Sequence, residues 1–303
     1  MPDLAALAAG WYDVNARELP WRAPDTSPWG VLVSEFMLQQ TPVPRVLPVW
    51  REWLDRWPTP AALAAEPAGE AIRAWGRLGY PRRALRLHEC AVVVTGSYGG
   101  TVPSTVDELL ALPGIGAYTA RAVAAFAYRQ RHPVVDTNVR RLVARAVAGR
   151  PDAGSATTAG DLAAVERLLP MEPEAAAHAS AAFMELGALV CVARTPRCAA
   201  CPLAAHCAWT AGAGGATPAP APSRRRQTYA GTDRQVRGLL LAVLRESTGP
   251  VPASRLDTVW PDATQRDRAL SGLLADGLIC EHDHTRYVLP GTRTGSPEVV
   301  PGR

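Results

Sequence analysis

Apolar residues recur at helical spacing along most of the chain, and short loops rich in Pro, Gly and Asp interrupt them. This spacing predicts helices over residues 3–17, 31–41, 43–56, 59–65, 68–76, 82–97, 104–111, 158–169 and 173–190. Two more helices are predicted to begin near Ala117 and at Asp136, on either side of a short buried extended segment. No strand pattern precedes residue 230. The predicted fold class is therefore all-α.

The helix predicted over 31–41, V-L-V-S-E-F-M-L-Q-Q-T, is apolar nearly all round and is expected to be buried. Glu35 and Gln39 share one face of it at i,i+4 spacing. A buried carboxylate has a raised pKa, which suits a general acid. The alternative is a solvated glutamate at the edge of a helix.

The segment 112–138 combines a glycine-containing turn with a carboxylate one helix downstream. Pro113, Gly114 and Gly116 cannot continue a helix, and backbone N–H groups at the start of the following helix favour an anion such as a phosphate. Asp136 heads T-N-V-R-R-L-V-A-R-A. By itself, the glycine-containing turn is also typical of a simple connection between two helices. Asp136 by itself is also typical of a helix N-cap.

Two further motifs suggest chemistry. The turn W-G-R-L-G-Y-P-R-R, residues 75–83, places aromatic side chains among arginines, as in proteins that wedge into a base stack, although many surface turns look the same. Cys191, Cys198, Cys201 and Cys207 have the spacing C-x6-C-x2-C-x5-C, which favours either Zn²⁺ or an iron–sulfur cluster. His206 is interpreted as a bystander.

Composition narrows the function classes. The chain has 303 residues and a net charge of +4, which gives room for one large and one small domain and permits a nucleic-acid partner. No segment is apolar enough to cross a membrane, and the N-terminus lacks the basic start of a signal peptide, so a cytoplasmic protein is expected. All 32 basic residues are arginine and none is lysine.

Once these motifs are assembled, residues 11–209 closely resemble the helix-hairpin-helix DNA glycosylases, and among them the adenine glycosylases. The resemblance is carried by L-P-W-R, V-S-E-F-M-L-Q-Q-T, G-R-L-G-Y, L-P-G-I-G-A-Y-T-A, V-V-D-T-N-V-R-R and the four cysteines. It implies a helical barrel that bears the hairpin, packed on a cluster domain. It also implies that Cys191, Cys198, Cys201 and Cys207 hold a [4Fe–4S] cluster, and that a base flipped out of the duplex enters a groove.

The resemblance assigns roles residue by residue. Glu35 would protonate the adenine ring, Asp136 would stabilise the cationic sugar, and Tyr118 and Asn138 would support this pair. The backbone of Gly114 and Gly116 would hold a phosphate near the flipped nucleotide. The remaining expected DNA contacts, several of them against the opposite 8-oxoguanine, are Arg22, Gln40, Thr41, Leu78 and Tyr80.

The resemblance also implies the reaction. Bifunctional relatives carry a lysine at the position of Tyr118 and form a Schiff base with the sugar, which a chain without lysine cannot do efficiently. The expected function is therefore monofunctional hydrolysis of the N-glycosidic bond of adenine opposite 8-oxoguanine or guanine in double-stranded DNA, by a monomer. Two alternatives are a thymine or uracil mismatch glycosylase of the same superfamily and a non-catalytic iron–sulfur DNA-binding protein, which would be expected to lose Glu35 or Asp136.

The C-terminal third departs from the family pattern. Adenine glycosylases commonly end in a domain related to 8-oxo-dGTP hydrolases, for which the residues after the linker are too few. The expected organisation is a catalytic region 1–210, a flexible linker 211–228, a small winged-helix-like module 229–290 and a disordered tail 291–303. We expect the module to add general duplex affinity through Arg224–Arg226, Arg266, Arg268 and Arg286. Direct reading of 8-oxoguanine by the module is the alternative.

Overall fold

The computed structural model describes residues 3–154, 157–212 and 229–292. Its helices in chain order are α1 (Leu4–Asn15), α2 (Pro28–Leu38), α3 (Val43–Arg56), α4 (Pro60–Ala64), α5 (Ala68–Trp75), α6 (Arg82–Ser97), α7 (Val106–Leu110), α8 (Ala117–Tyr128), α9 (Thr137–Ala146), α10 (Ala159–Glu166), α11 (Pro173–Leu189), α12 (Ala208–Gly212), α13 (Asp233–Glu246), α14 (Ala253–Asp257) and α15 (Ala263–Ala275). The strands are β1 (Val251–Pro252), β2 (Cys280–Asp283) and β3 (Arg286–Val288). The predicted all-α class with a small C-terminal sheet is confirmed.

The chain forms two compact units. The first comprises Met1–Glu35, Val102–Ala111 and Ile115–Arg224, and the second comprises Phe36–Thr101, Leu112–Gly114 and Arg225–Arg303. The domain boundaries expected from the sequence stay a prediction. The predicted linker from residue 213 onward, with Arg224–Arg226, and the tail from residue 293 lie outside the described residues.

Helices α3 and α6 begin and end where the sequence predicts, but α2 does not. It begins at Pro28, a residue suited to the first turn of a helix, and it ends at Leu38 rather than at residue 41. Gln40 takes a left-handed φ of 55°, which no helix can continue. All three residues of the motif Q-Q-T, residues 39–41, are therefore loop residues.

The core of the first unit positions the start of α9. Phe183 and Leu186 of α11 lie in one buried cluster with Val139 and Leu142 of α9. Gly187 permits a very close approach there, because a Cβ at this position would lie 2.7 Å from the carbonyl oxygen of Asn138. The residues at the head of α9 are thus held against α11 by close packing.

The core of the second unit is built around tryptophans. The rings of Trp53 and Trp57 pack edge to face with centroids 4.7 Å apart, and Trp53 meets Trp75 in the same way at 5.7 Å. Such pairs add to the stabilisation that burial of their large apolar surfaces provides. Trp75 ends α5, so this core supports the turn that follows it.

Residues 229–292 form a winged-helix-like module within the second unit. The order is α13, β1, α14, α15 and the hairpin β2–β3, and the antiparallel sheet has the strand order β1-β3-β2. All strands of the described residues lie in this module. Val236, Leu240 and Leu244 on α13, together with Leu273 on α15, are buried in its interior.

The charges of the module are internally balanced. Residues 229–292 contain seven arginines and eight carboxylates. Arg266, Arg268 and Arg286, which were expected to supply duplex affinity, each form an ion pair, with Asp257, Asp233 and Asp283 respectively. The expectation that these arginines add general duplex affinity stays a prediction.

No helix in the described ranges has the length and hydropathy that a membrane-spanning segment requires.

Candidate active site

A carboxylate lies in the interior of the first unit. Glu35 is 8% exposed and sits on α2 among Leu32, Val33 and Ser34, which are fully buried. Burial raises the pKa of Glu35 to about 8, with a further rise from the negative charge of Asp136 and an opposing effect from Arg22. The side chain is therefore mostly protonated at neutral pH and can act as an acid.

The second carboxylate heads α9 and is held by hydrogen bonds. The Asp136 Oδ1 accepts from the backbone N–H of Asn138 at 2.9 Å and of Val139 at 2.7 Å, and Oδ2 accepts from the Asn138 Nδ2 at 2.8 Å. Burial raises the pKa of Asp136, while these hydrogen bonds and Arg141 oppose the rise. Asp136 is thus an N-cap, and its charge also acts on Glu35. The two interpretations of this residue are compatible.

Asn138 connects Asp136 to a firm support. Its Oδ1 accepts a hydrogen bond from the Arg141 Nη2 at 2.9 Å, and the same nitrogen donates to the carbonyl of Gly187 at 2.7 Å. The Arg141 Nε donates to the carbonyl of Cys191 at 2.7 Å. The orientation of Asp136 therefore depends on α11 and on the first cysteine of the predicted cluster loop.

Tyr118 lies in the first turn of α8, beside the carboxylate pair. Its pKa is raised well above the ordinary value by burial and by the charges of Glu35 and Asp136. The hydroxyl therefore stays protonated and can donate a hydrogen bond. Tyr118 also packs on an apolar cluster that includes Ala122, Val134 and Ala177.

Arg22 is the cation of this site. It lies on a 3₁₀ turn, Pro20–Arg22, and its Nη2 donates to the Glu185 Oε2 at 2.9 Å. Its Nη1 is buried and has no hydrogen-bond partner among the residues that the structure describes. A buried, unsatisfied guanidinium nitrogen next to a protonated acid is an available donor for a ligand.

Glu185 and Arg17 are site residues that the sequence interpretation missed. The carboxylate of Glu185 is completely buried and accepts hydrogen bonds from the backbone and side chain of Arg17 as well as from Arg22. Burial alone would raise the pKa of Glu185, but the hydrogen bonds from Arg17 and Arg22 lower it to about 2. The available signal was a lone acid in the apolar stretch M-E-L-G of α11, the same signal that identified Glu35.

The two glycines of the hairpin differ in what they require. Gly114 has φ of 79°, and a Cβ there would lie 2.7 Å from the Cβ of Arg86 and 3.0 Å from the ring of Phe36. Gly116 is the N-cap of α8, has φ of −101° and has open space beside it. No side chain caps this end of α8, so its first N–H groups suit an anion.

The residues expected to face the opposite base lie on two loops of the second unit that one arginine connects. The Arg83 Nη1 donates to the carbonyls of Phe36, Met37 and Gln39 at 2.8, 3.1 and 2.5 Å. The Arg83 Nη2 donates to the Thr41 Oγ1 at 2.9 Å and to the carbonyl of Gly79 at 3.1 Å. The Thr41 hydroxyl in turn donates to the carbonyl of Leu78 at 3.3 Å.

Within this set, exposure separates two residues from the other two. Tyr80 is 47% exposed and Gln40 is exposed, whereas Leu78 and Thr41 are buried. Gln40 and Tyr80 also have left-handed φ angles of 55° and 48°, as does Arg129, alone among the non-glycine residues of the described ranges. Such strain persists only where the surroundings impose it, and it is frequent at ligand-binding sites.

The four predicted cysteines line one pocket of the first unit. Its other lining residues include Leu142, Arg145, Val190, Leu203 and Trp209, and His206 does not take part. The Arg145 Nη1 approaches the Cys191 Sγ at 3.5 Å and the carbonyl of Val192 at 2.8 Å. Burial and the neighbouring thiols raise the pKa of Cys201 to about 11, so a cationic group would be needed to hold it as thiolate.

These four thiols surround the pocket and form a possible donor set for a metal. As thiolates, four cysteines bind either a single Zn²⁺ or an iron–sulfur cluster. Cys90 is buried in α6, and Cys280 is exposed on β2.

Comparison with known proteins gives concordant results. The HhH-GPD superfamily of base excision DNA repair proteins matches residues 33–186. The adenine DNA glycosylase of Mycolicibacterium smegmatis is 58% identical over 289 residues, which cover 95% of this chain and 96% of the relative. The adenine DNA glycosylase of Mycobacterium tuberculosis is 57% identical over 282 residues, 93% of this chain and 91% of the relative.

More distant relatives match a shorter part. The adenine DNA glycosylase of Homo sapiens is 38% identical over 205 residues, 65% of this chain and 37% of the relative. Two solved structures share the fold at 24% identity. A thermostable thymine-DNA glycosylase has a TM-score of 0.62 over 69% of this chain and 95% of its own, and a trapped endonuclease III–DNA covalent intermediate has 0.58 over 69% and 94%. Because the mycobacterial alignments cover nearly the whole chain, they extend into the C-terminal module.

Proposed function

The chain belongs to the HhH-GPD superfamily of base excision DNA repair proteins and, within it, to the adenine DNA glycosylases, and from this premise we propose how it acts. It hydrolyses the N-glycosidic bond of adenine mispaired with 8-oxoguanine or guanine in double-stranded DNA. It does so as a monomer, in the cytoplasm, on the DNA of the bacterial nucleoid. The observation that supports the mechanism is the burial of Glu35, which has a pKa of about 8 that the negative charge of Asp136 helps to raise.

In this mechanism Glu35 donates its proton to the adenine ring. Protonation makes the base a better leaving group, and the resulting Glu35 carboxylate can then accept a proton from the attacking water. The raised pKa matches this task, because an acid near neutral pH is both protonated and ready to give up its proton. Arg22 stabilises the carboxylate that the transfer leaves behind.

Asp136 stabilises the cationic sugar that forms when the bond breaks. Its three hydrogen bonds from Asn138 and Val139 favour the ionised form and fix its position. An aligned negative charge that needs no reorganisation lowers the free energy of a cationic transition state. Tyr118 donates a hydrogen bond near the pair and excludes water from its apolar side.

Product chemistry follows from the side chains that are present. A Schiff base with the sugar requires an amine, and the chain has Tyr118 on the hairpin helix and no lysine. The product is therefore a base-free strand that remains uncut until it is treated with hot alkali.

DNA is held by the hairpin and by the two loops around Arg83. The uncapped N-terminus of α8, beginning at Gly116, binds a phosphate next to the flipped nucleotide. Gln40 and Tyr80 are the exposed members of the set that faces the base opposite adenine, and Thr41 and Leu78 hold the backbone beneath them.

The cofactor that fits the cysteine pocket is a [4Fe–4S] cluster held by Cys191, Cys198, Cys201 and Cys207. When bound, the cluster would cross-link residues 191–207 and take no part in hydrolysis. The donation of Arg141 to the carbonyl of Cys191 ties this loop to the residues that orient Asp136.

The test is single-turnover base release from three duplexes that contain adenine opposite 8-oxoguanine, adenine opposite guanine, and thymine opposite guanine. Free adenine from the first two, with no strand scission before alkali, is the expected result. Release of thymine with no release of adenine would assign the chain to the mismatch thymine class. A borohydride-trapped adduct to a side chain would contradict hydrolysis without a covalent intermediate.

A further inference from the structure

The C-terminal module contacts the turn that carries Tyr80. Residues 76–80 follow α5 and precede α6, and both of these helices touch the module. The Arg245 Nε donates to the carbonyl of Ile72 on α5 at 3.0 Å, and Arg73 donates to the carbonyl of Arg245. Arg82, in the first turn of α6, forms an ion pair with Asp276 at 3.3 Å.

The end of the module is anchored to the same region. The backbone N–H of Gly69, at the start of α5, donates to the carbonyl of Pro290 at 2.7 Å. A Cβ at Gly69 would lie 2.7 Å from the Cβ of Leu289. The start of α5 and the end of the module therefore approach too closely for a side chain at residue 69. The contacts from Arg245, Asp276 and Pro290 thus hold both flanks of the turn.

The tip of the turn receives a cation from the module. The guanidinium of Arg234, at the start of α13, lies 5.4 Å from the centre of the Tyr80 ring, the same distance as the guanidinium of Arg83. It also lies 6.0 Å from the ring of Tyr229. Both distances are within the range of cation–π attraction.

Arg234 differs from most other arginines of the module, and like Arg255 it lacks a carboxylate partner among the described residues. Arg237, Arg266, Arg268 and Arg286 are ion-paired with aspartates, and Arg245 is committed to the carbonyl of Ile72. Within the described ranges, no carboxylate lies at ion-pair distance from Arg234. Its guanidinium instead lies over the rings of Tyr80 and Tyr229. An exposed cation without a carboxylate partner therefore lies beside a strained, exposed tyrosine.

We propose that Arg234 is a positioning residue that holds Tyr80 in its left-handed conformation, so that the C-terminal module sets the preference for 8-oxoguanine opposite adenine. The inference rests on the proposed function, in which Tyr80 faces the base opposite adenine. Strain at Tyr80 costs free energy that contacts with the ring must offset, and Arg83 and Arg234 supply those contacts from two segments. The module therefore acts through the contact of Arg234 with the turn at residues 76–80.

The experiment compares Arg234→Ala with Arg255→Ala in the full-length protein. Arg255 is an exposed arginine of the same module, and it donates a hydrogen bond to the Ser247 hydroxyl at 3.3 Å. Its substitution therefore controls for the loss of one positive charge. Single-turnover rates and dissociation constants are measured on duplexes with adenine opposite 8-oxoguanine and opposite guanine. Arg234→Ala is expected to reduce the ratio of the two rates about tenfold, and Arg255→Ala to leave it unchanged.

Rescue distinguishes positioning from general destabilisation. Arg234→Lys keeps a cation for the Tyr80 ring and is expected to retain the ratio within about threefold of the unaltered protein. An equal fall in rate on both duplexes, or equal ratios in Arg234→Ala and Arg255→Ala, would overturn the inference.

A second measurement needs no DNA. Hydrogen exchange of the free proteins is expected to show faster exchange over residues 76–83 in Arg234→Ala than in Arg255→Ala, with the sheet of the module unaffected. Unchanged protection of 76–83 would contradict the inference even if the unaltered protein released no adenine. Absence of adenine release by the unaltered protein would count against the proposed function instead.

Discussion

At the scale of single residues, Glu35 carries opposite consequences for activity and for stability. An acid with a folded pKa of about 8 and an unfolded value near 4.5 keeps its proton in the folded state while the unfolded chain loses it. The favourable contribution of protonated Glu35 is fully present below pH 4.5 and is lost as the pH rises toward 8. The buried acid that suits catalysis is therefore a destabilising element at neutral pH.

Glu35→Gln is expected to lower adenine release by at least ~10²–10⁴-fold with duplex binding nearly unchanged, because the amide has no proton to transfer. The same substitution is expected to raise the free energy of unfolding by about 1–3 kcal/mol at pH 7.5, since a neutral amide cannot ionise and so removes the ionisation that stabilises the unfolded chain. Urea unfolding at pH 4.5 and 7.5, with Glu52→Gln on the surface of α3 as control, measures the second effect. A stability gain independent of pH would contradict the assigned pKa.

At the scale of elements, Arg83 joins the C-terminal end of α2 to the turn after α5. It provides five hydrogen bonds to two segments that are separated by about forty residues, and burial lowers the pKa of its guanidinium to about 10. Only the planar, five-donor group of an arginine can serve so many acceptors at once. Arg83 therefore supports the residues on both sides of Gln40 and the residue before Tyr80.

Arg83→Lys is expected to destabilise the protein by about 2–4 kcal/mol, because a lysine leaves several buried carbonyls without donors. Arg82→Lys is the matched control, since its side chain is 61% exposed and makes an ion pair with Asp276. Urea midpoints of the two variants should differ clearly. Equal midpoints would show that water satisfies the carbonyls in place of Arg83.

The hairpin before α8 offers a second matched pair. Gly114→Ala is expected to cost about 2 kcal/mol or more and to weaken DNA binding, because Ala disfavours a φ of 79° and its Cβ would overlap Arg86. Gly116→Ala has an ordinary φ and free space, so its stability should change by less than about 0.5 kcal/mol. Thermal unfolding distinguishes the two, and equal losses would mean that the hairpin relaxes around a Cβ at 114.

At the scale of the whole molecule, the loop that carries the four cysteines is connected by hydrogen bonds to the proposed catalytic residues. Arg145 reaches the Cys191 sulfur and packs over Trp209, and Arg141 joins the Cys191 carbonyl to Asn138. A loop of four thiols without its metal would lose the cross-link that keeps these carbonyls in place.

Cys198→Ser is expected to reduce retained iron and sulfide and to weaken DNA binding, while far-ultraviolet circular dichroism changes little. The reason is that residues 191–207 hold few regular elements of their own, whereas α9 and α11 also contact each other through apolar side chains such as Val139 and Phe183. Iron and acid-labile sulfide assays on anaerobically purified protein provide the measurement, with Cys280→Ser as control. One zinc and no iron would show that the pocket binds a single ion.

Much of the fold could be predicted from local pattern. The bounds of α3 and α6 follow from the helical spacing of apolar residues. The end of α2 could not, because Gln40 leaves the helix under the influence of hydrogen bonds from Arg83, far along the chain. Local propensity gives no information about such a distant donor.

By itself, the sequence determined the class of chemistry. Glu35 and Asp136 stand in recognisable motifs, four cysteines have a metal-binding spacing, and the absence of lysine excludes a lysine Schiff base. Only the tertiary structure decided which charged side chains contact one another. It pairs Arg22 with Glu185 across 163 residues, cancels Arg266 and Arg268 with aspartates and leaves Arg234 beside Tyr80. The physical reason is that residue identity sets what a side chain can do, while burial and partners, which depend on distant segments, set its protonation, its orientation and its net charge.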